Sequence, residues 1–233
     1  MDGVLSAIAI VPSAPVMIPE LAGDAAAELA DLRDAVFAAV VGLPPRWVAV
    51  GVGRSDVRIG ADHVGTFGGY GVDLRVRLSP GAGGEPVALP LCALITGWLR
   101  GAARPEAAAE VRVYADGHGV DAALVHGRRL RAEIDEAAGE IGVLVVADGA
   151  NTLSPTAPGG FDPDSIAVQA ALDDALAGGD IAALTRLPDA IVGRVAYQVL
   201  AGLLENGSAS AKELYRGAPY GVGYYSGTLQ QQR

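Results

Sequence analysis

Lysine is scarce, cysteine occurs once and histidine three times in this chain of 233 residues, and each scarcity narrows what the protein can be. The lone Cys92 has no partner for an internal disulfide. Its place in the apolar stretch 89–99 predicts a buried small hydrophobe in a reducing compartment. Basic residues are also few, 17 against 27 acidic ones, for a net charge of −10. With no basic stripe to neutralise phosphates, nucleic acid is excluded as a partner. The same acidity repels anionic lipid headgroups. One local exception, Arg128, Arg129 and Arg131, reads either as a solvated helix face or as a grip for a small anion. Long apolar runs are missing too. The longest, 87–99, is broken by Pro90 and Gly97 and falls short of the ~20 residues that cross a bilayer. No Lys or Arg precedes the first apolar stretch, so the expectation is a cytoplasmic chain without a secretory leader or membrane span.

What is present is an ordinary globular interior: 51% hydrophobic and 19% charged residues, too apolar for disorder. The length suits one domain spanning 1–233, and no repeat or long linker divides it. Residues 4–11 are a continuous apolar run ending at Pro12, which predicts a buried strand feeding the loop Ser13-Ala14-Pro15. Leu29, Leu32, Val36 and Val40 recur at helical spacing and predict a helix over 24–41, with Asp24 as N-cap. Residues 47–52 read as a second buried strand leading into Gly53-Arg54-Ser55-Asp56. From 72 to 78 apolar and polar residues alternate, the mark of an edge or antiparallel strand. Helices are expected over 90–99, 127–139, 162–177 and 189–204, and strands over 111–115, 141–147 and 221–229, with 230–233 frayed. The helix at 127–139 would start basic and end acidic, against its dipole. Strands alternating with helices predict a three-layer α/β/α fold around a mixed, mostly parallel sheet. Sites in such sheets lie at the carboxyl ends of the strands, where Asp148-Gly149-Ala150-Asn151 follows the most apolar strand.

Three segments carry a resemblance. Ile10-Val11-Pro12-Ser13-Ala14-Pro15 with the following Val16 to Leu21, Ala147-Asp148-Gly149-Ala150-Asn151-Thr152-Leu153-Ser154 followed by Ala157 to Asp162, and Glu213 to Tyr224 appear in order over nearly the whole chain. Together they resemble the B subunits of class III extradiol ring-cleavage dioxygenases and the related Memo-like proteins. The resemblance implies non-haem iron held by histidines, and here the chain departs from the pattern. Ser13 stands at the histidine of the first loop. Arg54 or Ser55 stands where a histidine follows the second strand, and Asn151 replaces the acid or base histidine. Iron that must take both a catecholate and dioxygen needs two histidines and a carboxylate. Serine is a poor ligand, arginine adds a fixed positive charge, and losing the imidazole at Asn151 removes the proton shuttle.

The leading expectation is therefore a non-dioxygenase descendant without a metal cofactor, whose remnant pocket of Ser13, Arg54, His63, Asp148, Asn151, Glu213 and Tyr220 binds a small, anionic molecule, or whose surface serves a protein partner. The rival is a metal-dependent oxidoreductase holding iron or zinc with an altered set drawn from His63, Asp148 and Glu213. A hydrolase using Ser13 lacks an identifiable base. Of the histidines, His118 in Asp116-Gly117-His118-Gly119 reads as a turn residue and His126 as a backbone-bonding residue before a helix, leaving His63 as the best surviving imidazole. Asp148 reads equally as a pocket carboxylate or a loop cap. Glycine spacing around Gly51-Val52-Gly53 fails the dinucleotide pattern. Homo-oligomerisation stays open.

Overall fold

A computed structural model describes residues 4–205 and 209–231. Its strands are β1 (Val4–Val11), β2 (Arg46–Gly53), β3 (Val57–Ile59), β4 (Val64–Thr66), β5 (Arg75–Arg77), β6 (Ala108–Ala115), β7 (Glu140–Val146), β8 (Ala209–Gly217) and β9 (Tyr224–Gln231). Its helices are α1 (Pro19–Ala22), α2 (Ala30–Val41), α3 (Leu91–Ala103), α4 (Val120–Glu136), α5 (Asp164–Gly178), α6 (Ile181–Leu184) and α7 (Arg194–Leu204). Seven strands form one sheet in the order β3-β6-β2-β7-β1-β9-β8. The four central strands are parallel, while β3, β9 and β8 pair antiparallel. Strands β4 and β5 form a separate antiparallel pair.

The central strands read as unbroken apolar runs because both faces are covered. Along β1 and β7, Ile8, Ile10, Ile141, Val143 and Val145 join one core with α4, α5 and α7, while Ala9, Val11, Leu144 and Val146 join the other with α2 and α3. Alternation with period two thus assigns each side chain to a layer, and the three-layer α/β/α arrangement follows. Three glycines let neighbouring elements approach closely. A β-carbon on Gly51 of β2 would lie 2.4 Å from Cys92 Cβ in α3. Cys92 itself is buried, and burial pushes its thiol up to about 12, so it behaves as a hydrophobe. On the opposite face, Gly127 of α4 and Gly202 of α7 pack backbone against backbone. A β-carbon at Gly127 would meet Val199 O at 2.1 Å, and one at Gly202 would meet Leu124 O at 2.3 Å.

Several boundaries differ from the sequence expectation. Helix α2 begins after Leu29, with a 3-10 turn over Gly23–Ala26 before it; the side chain of Asp24 lies outside the described residues. Helix α4 begins at Val120, earlier than expected, so Arg128, Arg129 and Arg131 are interior to it and Asp121 occupies its first turn. The predicted clash of a basic start with the dipole disappears; acids remain at its C-terminal end, where Arg131 pairs with Asp135 at 2.8 Å. Only Arg75–Arg77 of the alternating stretch forms a strand, in the small separate sheet. Gln230 and Gln231 extend β9 rather than fray, and 232–233 lie outside the described residues. No helix among the described residues is long and apolar enough to cross a membrane.

Candidate functional site

The carboxyl ends of β1 and β7 are joined beyond the regular ladder. Ala147 N–H donates to Val11 O at 2.9 Å, and Ser13 N–H donates to Asp148 Oδ1 at 2.7 Å. The Asp148 loop is then gripped from two sides. Gly149 N–H donates to Gly223 O and Gly223 N–H to Ala150 O, both at 2.8 Å, while Gly193 N–H donates to Asp148 O at 2.9 Å and Val192 N–H to Gly149 O at 3.1 Å. Behind it, the buried Gln169 of α5 accepts from Ala150 N–H at 2.8 Å and donates to Asp173 Oδ1 at 2.9 Å. Gly149 and Gly223 are glycines because a β-carbon on either would strike the Gln169 amide, at 2.0 and 2.2 Å. Tyr197 O–H donates to Ala147 O at 3.0 Å from below.

Asp148 retains a little solvent exposure, but its surroundings are nearly all protein. Desolvation pushes its carboxyl up to about 7, with the Ser13 N–H pulling weakly the other way. No cation among the described residues opposes the shift. Asp173 is likewise raised, to about 6, by burial, with the Gln169 hydrogen bond and Arg216 opposing.

The structure brings together only part of the remnant set. Ser13 and Asp148 touch, and Asn151 follows in the same loop, its carbonyl accepting from Gly159 N–H at 2.9 Å. Arg54 is exposed at the end of β2, next to β7 in the sheet, without an ion-pair partner among the described residues. Tyr220 sits in the turn that abuts the Asp148 loop with φ 61°, the one non-glycine in the left-handed region among the described residues. Its hydroxyl donates to Glu28 Oε2 at 2.7 Å, away from the loop. Glu213 stands lower in the sheet, level with Ile10 through Gly227, and pairs with Arg216, which also holds Asp174 at 2.8 Å. His63 lies apart from the rest. Its carbonyl accepts from Leu78 N–H, and Leu78 O accepts from Ala109 N–H near the start of β6, so this imidazole belongs to the amino end of the sheet. Its ring bonds Gly60 O and Asp62 Oδ1. His63, Asp148 and Glu213 therefore cannot share a metal ion.

Sequence reasoning missed a different grouping. Asp56 follows β2, His118 follows β6, and His126 projects from α4; their ligand atoms lie within 4.8 Å of one another. His118 Nε2 is 2.7 Å from Asp56 Oδ1 and His126 Nε2 is 3.7 Å from Asp56 Oδ2. Burial disfavours the charged Asp56, but the Ala115 N–H at 2.8 Å, the His118 hydrogen bond and both imidazoles hold its carboxyl below the ordinary range. Burial holds His126 below its usual value, with His118 and Arg129 adding and Asp56 opposing. A signal was present in the sequence: Asp56 and His118 both directly follow strands that became neighbours. It was lost when His118 and His126 were each read against their local backbone alone.

The iron that the extradiol resemblance implies does not fit the first grouping. Ser13, Asp148 and Asn151 offer one carboxylate and no imidazole, where two histidines are needed. No protein-family model matches the chain, and no curated protein matches its sequence. In fold, the chain is similar to an uncharacterized protein from Escherichia coli K12, with a TM-score of 0.56 at 11% identity, covering 96% of this chain and 99% of that one. At that identity the likeness speaks for the α/β fold alone.

Proposed function

We propose that this chain is a divergent extradiol dioxygenase-like protein that performs no ring cleavage and binds a small organic anion at the carboxyl edge of its sheet. The observation that carries this reading is the Asp148 carboxyl, fixed against Ser13 N–H, free of imidazole neighbours and titrating near 7. In its protonated form it donates a hydrogen bond to an anionic oxygen; ionised, it repels the same group. Arg54, exposed beyond the adjacent strand, adds long-range attraction. Ring cleavage has no support in these residues, because none of Ser13, Asp148 and Asn151 supplies an imidazole to hold iron or shuttle a proton.

The test is a thermal-shift and calorimetric series with benzoate and other simple carboxylates from pH 5 to 9. Binding should weaken about tenfold for each pH unit above 7 in the wild type, because one proton must be taken up. In Asp148→Asn, which is always neutral, the affinity should be independent of pH. A pH-independent wild-type affinity, or binding by none of the carboxylates, would sink the anion reading. Oxygen uptake on adding Fe(II) and catechol would overturn the claim that ring cleavage is lost.

A further inference from the structure

We propose that Asp56, His118 and His126 form a binding site for a zinc-class divalent cation whose remaining coordination is open to a small oxyanion. The site stands on different residues from Asp148, so either reading can fail alone. Three separate elements deliver the three donors: the loop after β2, the loop after β6 and the second turn of α4. Two imidazoles and one carboxylate are a set that zinc and similar cations accept, and a three-ligand set leaves positions for exogenous groups. Zinc bonds of about 2.0–2.2 Å place neighbouring donors about 3.3 Å apart in a tetrahedron. The observed 2.7 and 3.7 Å from Asp56 oxygens to the two imidazole nitrogens bracket that separation. The two rings are 4.8 Å apart, so a cation can enter with small rotations of the side chains.

The donors are held from behind, as metal ligands usually are. Ala115 N–H fixes one Asp56 oxygen at 2.8 Å. Arg194 of α7 donates to the His118 carbonyl at 3.1 Å and so ties down its loop. The His126 ring packs against Tyr114 with centroids 4.8 Å apart. His118 Nε2 and Asp56 Oδ1 share a hydrogen bond. The cation takes the place of that proton, and the imidazole carries its own proton on Nδ1 instead.

The open side is a cleft of about 290 Å³ lined by Asp56, His126, Tyr114 and Arg129 among others. Arg58 and Arg112, also in its wall, are neutralised by Glu110 and Glu133. Arg129 has no acidic partner among the described residues, and its charge is felt at His126. A divalent cation with one carboxylate, next to an unpaired guanidinium, leaves a local excess of positive charge in an otherwise acidic protein. The ligand that such a pairing selects is an oxyanion bridging metal and arginine.

Calorimetric titration of chelator-stripped protein with Zn(II), and visible spectra with Co(II), test the site. One equivalent should bind with micromolar or tighter affinity, and His118→Gln or His126→Gln should each weaken it by about tenfold or more, while His63→Gln changes nothing. No saturable heat with the wild type, or wild-type affinity in both His118→Gln and His126→Gln, would overturn the site. Should either variant melt early, X-ray absorption of the zinc-loaded wild type decides: two imidazoles in the coordination shell support the site, and fewer overturn it. Inorganic phosphate should alter the cobalt spectrum of the wild type and not that of Arg129→Gln. An unchanged wild-type spectrum would remove the oxyanion from the proposal.

Discussion

Gly127→Ala is expected to destabilise the protein by about 3 kcal/mol or more, at the upper end of what overpacking costs. The new methyl group would lie 2.1 Å from Val199 O, 2.6 Å from Leu203 N and 2.8 Å from Gly202 C. All three are backbone atoms of α7, so no side chain can swing aside. Relief requires α4 and α7 to separate along a contact that helps bury Leu130, Ile134, Val199 and Leu203. Urea unfolding measures the loss. The control is Gly101→Ala in α3, where a β-carbon meets nothing within 4 Å; there the better helix propensity of alanine should stabilise by up to about 1 kcal/mol. A loss at Gly127 no larger than about 1 kcal/mol would mean that the helices can part at little cost and that the close crossing is not required.

Asp148→Asn should raise stability at pH 8 by as much as about 4 kcal/mol and leave it nearly unchanged at pH 4. The folded carboxyl titrates at about 7 against an ordinary value of 3.8, so between those values the native state holds a proton that the unfolded chain releases. Stability contributed by that proton is present in full below about pH 4 and is lost as pH rises through 7. At about 1.4 kcal/mol for each tenfold preference, the shift accounts for the figure. Asparagine carries no charge and its amide oxygen still accepts from Ser13 N–H, so the geometry of the hydrogen-bonded strand ends is kept. Asp173, raised to about 6, adds a slope of the same sign in both proteins and cancels in the difference. Urea midpoints measured from pH 4 to 8 decide the matter, and parallel profiles for the two proteins would rule out a desolvated Asp148.

Much of the layer structure was legible because a strand buried on both faces has to be apolar throughout. Residues 4–11 and 141–147 announced β1 and β7 almost to the residue. Strand β8 has no counterpart among the strands expected from the sequence, since Lys212, Glu213 and Arg216 break any apolar pattern on a strand with one free edge. The start expected for α4 at Gly127 lies too late, because Ala122 to Val125 continue the helix upstream. That one error also hid His126, which belongs to a helix facing the end of β6. The contact of Ser13 with Asp148 was within reach of sequence reasoning, because both directly follow strands that proved adjacent. His63 was misplaced because the reversal of chain direction at β3 carries the following loop back to the amino end, and a three-residue strand leaves no periodicity to detect.

The two margins of the large sheet also bear on how this acidic protein behaves at high concentration. One is formed by β3, only three residues long and carrying Arg58. The other is β8, where an irregularity between Glu213 and Tyr215 interrupts the pairing with β9 and the chain's one lysine, Lys212, is exposed. A short margin at one end and a charged, bulged one at the other are poor templates for a further strand. Addition of a strand from another molecule, the first step toward a fibril, must then wait until β3 or β8 peels away and bares β6 or β9 behind it.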